Sequence, residues 1–145
     1  MQPRRLIRAL AFSAVACCAS FAGMADAAAW RPVPGAQEVE IDITSIRQTG
    51  ARVTAWLRWP GRPPHALPVA GVPDARQPRI ARTAVLTEFD CSGRSMRALA
   101  ANAYDSGGAP ASMSSVPGPV LPVRGDDTLW AYDAACEAAR SGGRF

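Results

Sequence analysis

Two cysteines constrain this chain more than any other feature. Cys91 and Cys136 stand 45 residues apart, while the other two, Cys17 and Cys18, fall inside the first thirty residues. Those thirty residues have the form of an export signal. Arg4, Arg5 and Arg8 begin it, residues 9–25 are uncharged and apolar or small, and "GMADAAAW" supplies the small residues of an exit site. The apolar run is too short and too rich in alanine to span a bilayer, which takes about 20 strongly apolar residues. Cleavage near Ala27 or Ala29 leaves Trp30 at or near the mature start and leaves one cysteine pair. In an exported chain such a pair reads as a disulfide. Closing a loop of this length stabilises a fold by about 4 kcal/mol in the chain-entropy account.

A second exit competes with plain cleavage. "AVAC" at 14–17 loosely resembles a bacterial lipobox, with Ala14 where Leu is usual. If Cys17 receives lipid, the protein is held to a membrane through that anchor alone, on the tether "CASFAGMADAAA". Otherwise Cys17 and Cys18 leave with the signal. Either way the organisation is a signal at 1–29 and a single domain at 30–145.

The net charge of +4 does not point to nucleic acid. Three arginines and one aspartate leave with the signal, so half of that charge goes with them. All sixteen basic residues are Arg, and Arg47, Arg52, Arg58, Arg62, Arg76, Arg79 and Arg82 are scattered among acids and apolar residues. A nucleic-acid surface would gather them into a stripe interleaved with aromatics.

Alternation then lays out a sheet. Val39, Ile41 and Ile43 alternate with Glu38, Glu40 and Asp42, which predicts a half-buried strand over residues 38–43. After a turn at Gly50, "ARVTAWLRW" places Val53, Ala55, Leu57 and Trp59 on one face and Arg52, Thr54, Trp56 and Arg58 on the other. These two strands pair as antiparallel neighbours. Residues 60–78 hold six prolines, a density that only an extended loop tolerates. A third strand runs over 80–91, with Val85, Thr87, Phe89 and Cys91 on one face and Leu86, Glu88 and Asp90 on the other. "SMRALAANAY" and "APASMSSV" follow as strands four and five, separated by the turn signal "DSGG". Their alanines favour helix, but the turns are spaced as hairpins and decide for strand.

The chain closes with "RGDDTLWAYDAACEAAR", a helix in which Leu129, Tyr132, Cys136 and Ala139 share one face and "SGG" at 141–143 stops the run. Asp126 or Asp127 is the expected N-cap. Arg124, Gly125 and Asp126 also spell the tripeptide that integrins read on matrix proteins. Arginine and glycine are abundant here, so the tripeptide arises readily by chance, and a capping role accounts for the aspartates. The expected architecture is α+β: a small antiparallel sheet of about five or six strands, with one C-terminal helix stapled onto it through Cys136 and Cys91.

Trp30, "IDITSI" at 41–46, "VTAW" at 53–56, "EFDC" at 88–91 with Arg94 just after, "YDSGG" at 104–108 and the late Cys136 together resemble the surface-adhesin protein E-like family of bacterial exported proteins. The matching positions run through most of 30–145. The resemblance implies a small antiparallel sheet whose C-terminal helix is tethered by a disulfide. It also implies surface display, with binding to host extracellular-matrix or plasma proteins. The proline-rich loop and the lack of an aromatic in "PGPVLPV" depart from the family pattern.

Catalysis finds little support. No phosphate loop, nucleophile elbow or HExxH helix is present. His65, the lone histidine, sits in the proline-rich loop without a nucleophile or an orienting acid, and no metal or cofactor site is indicated. Glu88 and Asp90 face solvent or meet arginine across a strand. An immunoglobulin sandwich would place a Trp between the cysteines near the first, whereas Trp130 lies six before the second. Two roles remain: a surface binding module, and a periplasmic or outer-membrane-associated structural protein without adhesive function. Trp56 bears on the choice. Flanked by Arg52 and Arg58 on one face, it is either covered by the helix or by a second subunit, as in a homodimer, or it is an exposed aromatic that a partner uses.

Overall fold

The computed structural model describes residues 27–61 and 80–142. Residues 1–26 of the expected signal, Cys17 among them, and residues 62–78 of the expected loop lie outside the described residues. In chain order the strands are β1 (Trp30–Pro32), β2 (Glu40–Asp42), β3 (Arg47–Thr49), β4 (Arg52–Pro60), β5 (Arg82–Asp90), β6 (Ser95–Tyr104), β7 (Pro110–Ser114) and β8 (Leu121–Pro122), and helix α1 (Asp126–Arg140) ends the described chain. All pairings are antiparallel in the order β1-β2-β4-β5-β6-β7, with β3 also on β4 and β8 also on β6.

The three long strands β4, β5 and β6 carry the sheet, and period-two alternation sets their faces. Val53, Ala55, Leu57 and Trp59 of β4 are buried, as are Thr83, Val85, Thr87 and Phe89 of β5. The alanines of β6 do form strand, because "SGR" and "DSGG" turn the chain back on each side; Asp105 Oδ1 accepts from the N–H groups of Gly107 and Ala109 to close the second turn.

Two edges are interrupted strands. β2 and β3 lie on the same edge of β4, Ile41 opposite Leu57 and Gln48 opposite Val53. The expected strand over 38–43 stops at Asp42 because that side chain ends the ladder. Its Oδ1 accepts from Thr44 N (3.0 Å), Thr44 Oγ1 (2.7 Å) and Ala29 N (2.9 Å), and a 3-10 turn, Ile43–Ser45, follows. Opposite the gap, the Trp56 N–H has no ladder acceptor and donates to Ser45 Oγ at 2.9 Å. β7 and β8 share the far edge of β6 in the same manner.

α1 packs on the face that carries Val53 and Phe89. Ala131, Tyr132, Ala134, Ala135, Cys136 and Ala138 are buried there, and Leu129 is only partly covered. The row of alanines lets the helix axis approach the strands closely. Tyr132 meets Phe89 edge-on with centroids 6.1 Å apart, and its hydroxyl donates to Cys91 O at 2.8 Å. Cys91 and Cys136 are bonded beside this contact, with Cα atoms 5.9 Å apart. Beside the core the loop after β1 presses its main chain against Trp130 of α1. Gly35 has φ +86°, and a Cβ there would lie 3.1 Å from the indole.

The helix start differs from expectation. Gly125 is the N-cap, with φ 82° and ψ 152°, and among the described residues no side chain caps the first turn. Asp126 and Asp127 lie inside that turn, where their charge favours the positive helix end. The hydroxyl that works here belongs to buried Thr128, which donates to Arg124 O and to Gly125 O. Ser141 and Gly142, the latter at φ +68°, end the helix.

Candidate binding face

The face of the sheet opposite α1 carries Arg52, Thr54, Trp56 and Arg58 from β4, Leu86 and Glu88 from β5, and Arg97 and Ala100 from β6. Alternation along β4 puts Trp56 on the side away from the helix, so the helix does not cover it. Trp56 stands opposite Leu86, with Ala100 beyond, and all three are half-buried. They form an apolar strip across the middle strands.

Ion pairs border the strip at both ends. Arg58 Nε donates to Glu40 Oε2 at 2.5 Å, and its guanidinium carbon lies 4.4 Å from the Trp30 ring centroid. One arginine on β4 thus ties down β2 through a charge pair and β1 through a cation–π contact. At the other end Glu88 accepts from Arg97 Nε at 2.9 Å and lies 3.7 Å from Arg52. Arg52 and Arg58 are six residues apart on an extended strand, about 20 Å, so they flank Trp56 without converging on one point. Asp90 faces its own turn, where Oδ1 accepts from Ser92 N, Ser92 Oγ and Gly93 N.

Sequence reasoning missed Glu40, Arg82 and Tyr104. A groove of about 370 Å³ beside Arg58 is lined by Trp30, Arg82, Tyr104 and Asp105, and a second of about 360 Å³ by Pro32, Glu38, Val39 and Pro60. The alternation of β2 exposed Glu40 as an outer-face residue, but only the register brings it to Arg58. Among the described residues no group of three or more His, Cys, Asp or Glu side chains is placed to hold a metal ion, and no helix is long and apolar enough to cross a membrane.

Two carboxyls on this face resist protonation. Glu40 is held below its ordinary value of 4.5 chiefly by the Arg58 hydrogen bond; burial opposes the shift, and the Arg58 and Arg82 charges add to it. Asp90 is held below 3.8 by the Gly93 N–H, then by the Ser92 hydroxyl and N–H. Both bind protons less readily folded than unfolded. Their contribution to stability is therefore complete above those ordinary values and is lost as pH falls through the lower folded ones. Urea midpoints measured from about pH 7 down to about pH 3 should decline below about pH 4.5, and Glu40→Gln should flatten that decline. Parallel acid limbs in wild type and variant would reject this assignment.

The chain matches the model of the surface-adhesin protein E family over residues 30–136. It belongs to that family. Among solved structures it is similar to Haemophilus influenzae protein E, at 16% identity and a TM-score of 0.52 over 79% of this chain and 90% of that one. A second structure of that protein gives 18% and 0.51 over 80% and 88%. Protein E from non-typeable Haemophilus influenzae gives 16% and 0.51, covering 79% of each chain. At such identities the likeness establishes the fold, a sheet with one C-terminal helix. No curated protein sequence matches the chain. As a member of the protein E family it falls within a group of surface adhesins rather than enzymes.

Proposed function

We propose that this protein is an exported cell-surface adhesin that holds a host extracellular-matrix or plasma protein on the outer face of its sheet. Trp56 anchors the partner, and Arg52 and Arg58 border the contact. The observation that carries the reading is Trp56 itself, a tryptophan on a sheet face that the helix leaves uncovered. Large aromatics at the centre of a contact with a polar rim are the residues on which protein partners gain most of their binding energy. The arginines keep the surrounding rim soluble while their ion pairs hold it rigid.

Export through the N-terminal signal fits the oxidised cysteine pair. The Ala29 N–H donates to Asp42, and Ala29 O accepts from Ile43 N at 3.1 Å. Cleavage after Ala27 keeps both bonds, whereas cleavage after Ala29 removes them, so the fold favours the earlier site. Lipid on Cys17 would leave the same domain on a longer tether.

Binding to immobilised matrix and plasma proteins tests the face. Trp56→Ala should weaken capture by about thirtyfold, the size of a hot-spot residue, while a rim change such as Arg52→Ala should have a small effect. Protease treatment of intact cells tests display. Digestion only after the outer membrane is opened would place the protein in the periplasm and leave the structural role standing. A dimer that loses its partner contact with Trp56→Ala would assign the same face to a second copy.

A further inference from the structure

We infer that Arg124, Gly125 and Asp126 form a second adhesive element, a ligand for a receptor of the integrin kind that takes the aspartate on a divalent cation. The fold gives neither charged side chain a direct partner. Both are exposed, and among the described residues neither makes a hydrogen bond or an ion pair. The capping role that would have occupied Asp126 is not filled by it, because Gly125 is the N-cap and among the described residues no side chain caps α1. What remains for Asp126 is the general preference of a helix start for negative charge, which a glutamate would satisfy equally.

The main chain, by contrast, is held on both sides of the tripeptide. Just before it, Val123 N donates to Arg94 O at 3.0 Å. Just after it, Thr128 Oγ1 donates to Arg124 O and Gly125 O, and Leu129 N donates to Gly125 O at 3.0 Å. Gly125 at φ 82° and ψ 152° adopts a backbone that side-chain-bearing residues rarely take. A fixed backbone with two free charged ends is a ligand already ordered for binding, so little conformational entropy is lost when a receptor engages it.

The chemistry names the partner class. A carboxylate is a hard oxygen donor suited to a magnesium or calcium ion with an open position. A guanidinium pairs two-pronged with carboxylates. A receptor with a cation at one end of its site and acidic groups at the other matches this pair across an uncharged residue. The inference shares with the outer-face reading only the requirement for display outside the cell, and it does not depend on Trp56.

The test uses the exported protein, purified with its disulfide intact and immobilised, so display on cells does not enter. The probe is the soluble ectodomain of an integrin that reads this tripeptide. Saturable binding is expected in magnesium or manganese, lost on chelation and competed by a linear Arg-Gly-Asp-Ser peptide. Asp126→Glu keeps the charge and moves the carboxylate by one methylene; it should weaken binding at least about tenfold with an unchanged melting curve. Arg124→Ala, outside the helix, should weaken it comparably and decides the matter if Asp126→Glu melts early. Trp56→Ala should leave this binding within about twofold, which separates it from the outer face. Binding that persists in chelator, that Asp126→Glu leaves unchanged, or that never appears overturns the proposal.

Discussion

Reduction of the Cys91–Cys136 bond is expected to lower the unfolding free energy by about 4 kcal/mol, as is replacing both cysteines with serine. The loop it closes spans 45 residues and joins the end of β5 to the middle of α1, so opening it frees a large part of the unfolded chain's entropy. The native side adds to the effect. The buried face of α1 is mostly alanine, and alanines bury little apolar area apiece. Tyr132 and Trp130 are the large side chains that otherwise hold the helix down. Urea titration with and without reductant measures the loss. A midpoint shift at constant slope reports stability alone, whereas a changed slope reports a looser native or denatured state. Hydrogen exchange should show α1 losing protection before β4 and β5 do. A change below about 1 kcal/mol would mean that alanine packing and the Tyr132–Cys91 hydrogen bond hold the helix unaided.

How much of this was legible in the sequence depended on strand length. β4 and β5 alternate over nine residues each, enough for both faces to be read before any partner is known. β6 was legible only through its flanking turns, since its alanines argue for helix. β1, β3 and β8 have two or three residues each, too few to show a period, and they exist because a long neighbour offers them an edge. The reading of residues 38–43 as one strand overran at Asp42. Alternation counts an aspartate as outward-facing, but Asp42 is buried and accepts three hydrogen bonds, a local arrangement that periodicity does not encode.

The candidate face divides the same way. That Trp56 shares a side with Arg52 and Arg58 follows from alternation alone, whereas which side the helix covers, left open by the sequence, follows from the register of β4 on β5 and the Phe89–Tyr132 contact. That Arg58 reaches Glu40 and Trp30, and that Glu88 is shared by Arg52 and Arg97, follows from register, which short edge strands leave open. The helix start departs from the cap signal for another reason. An aspartate before an apolar run is the usual cap signal, but Gly125 takes the cap position with a backbone that only glycine adopts readily. That displacement leaves the Asp126 carboxylate unengaged.

Phe89→Ala should cost about 3–5 kcal/mol, while Trp56→Ala, on the neighbouring strand, should cost about 1–2 kcal/mol. Phe89 is fully buried, lies opposite Val53 and Met96 on the flanking strands and meets Tyr132 across the helix–sheet interface. Truncation opens a cavity walled by β4, β6 and α1, and close-packed walls relax only in part. Trp56 is the larger side chain but only half-buried, and water fills the space it vacates, so no cavity term arises. Chemical denaturation of both variants in one background measures the contrast. If Trp56→Ala proves as costly as Phe89→Ala, the outer face is packed rather than free. Repeating the titration over a hundredfold range of protein concentration then identifies the cover: a concentration-dependent midpoint indicates a second copy, and a constant one indicates a segment of this same chain.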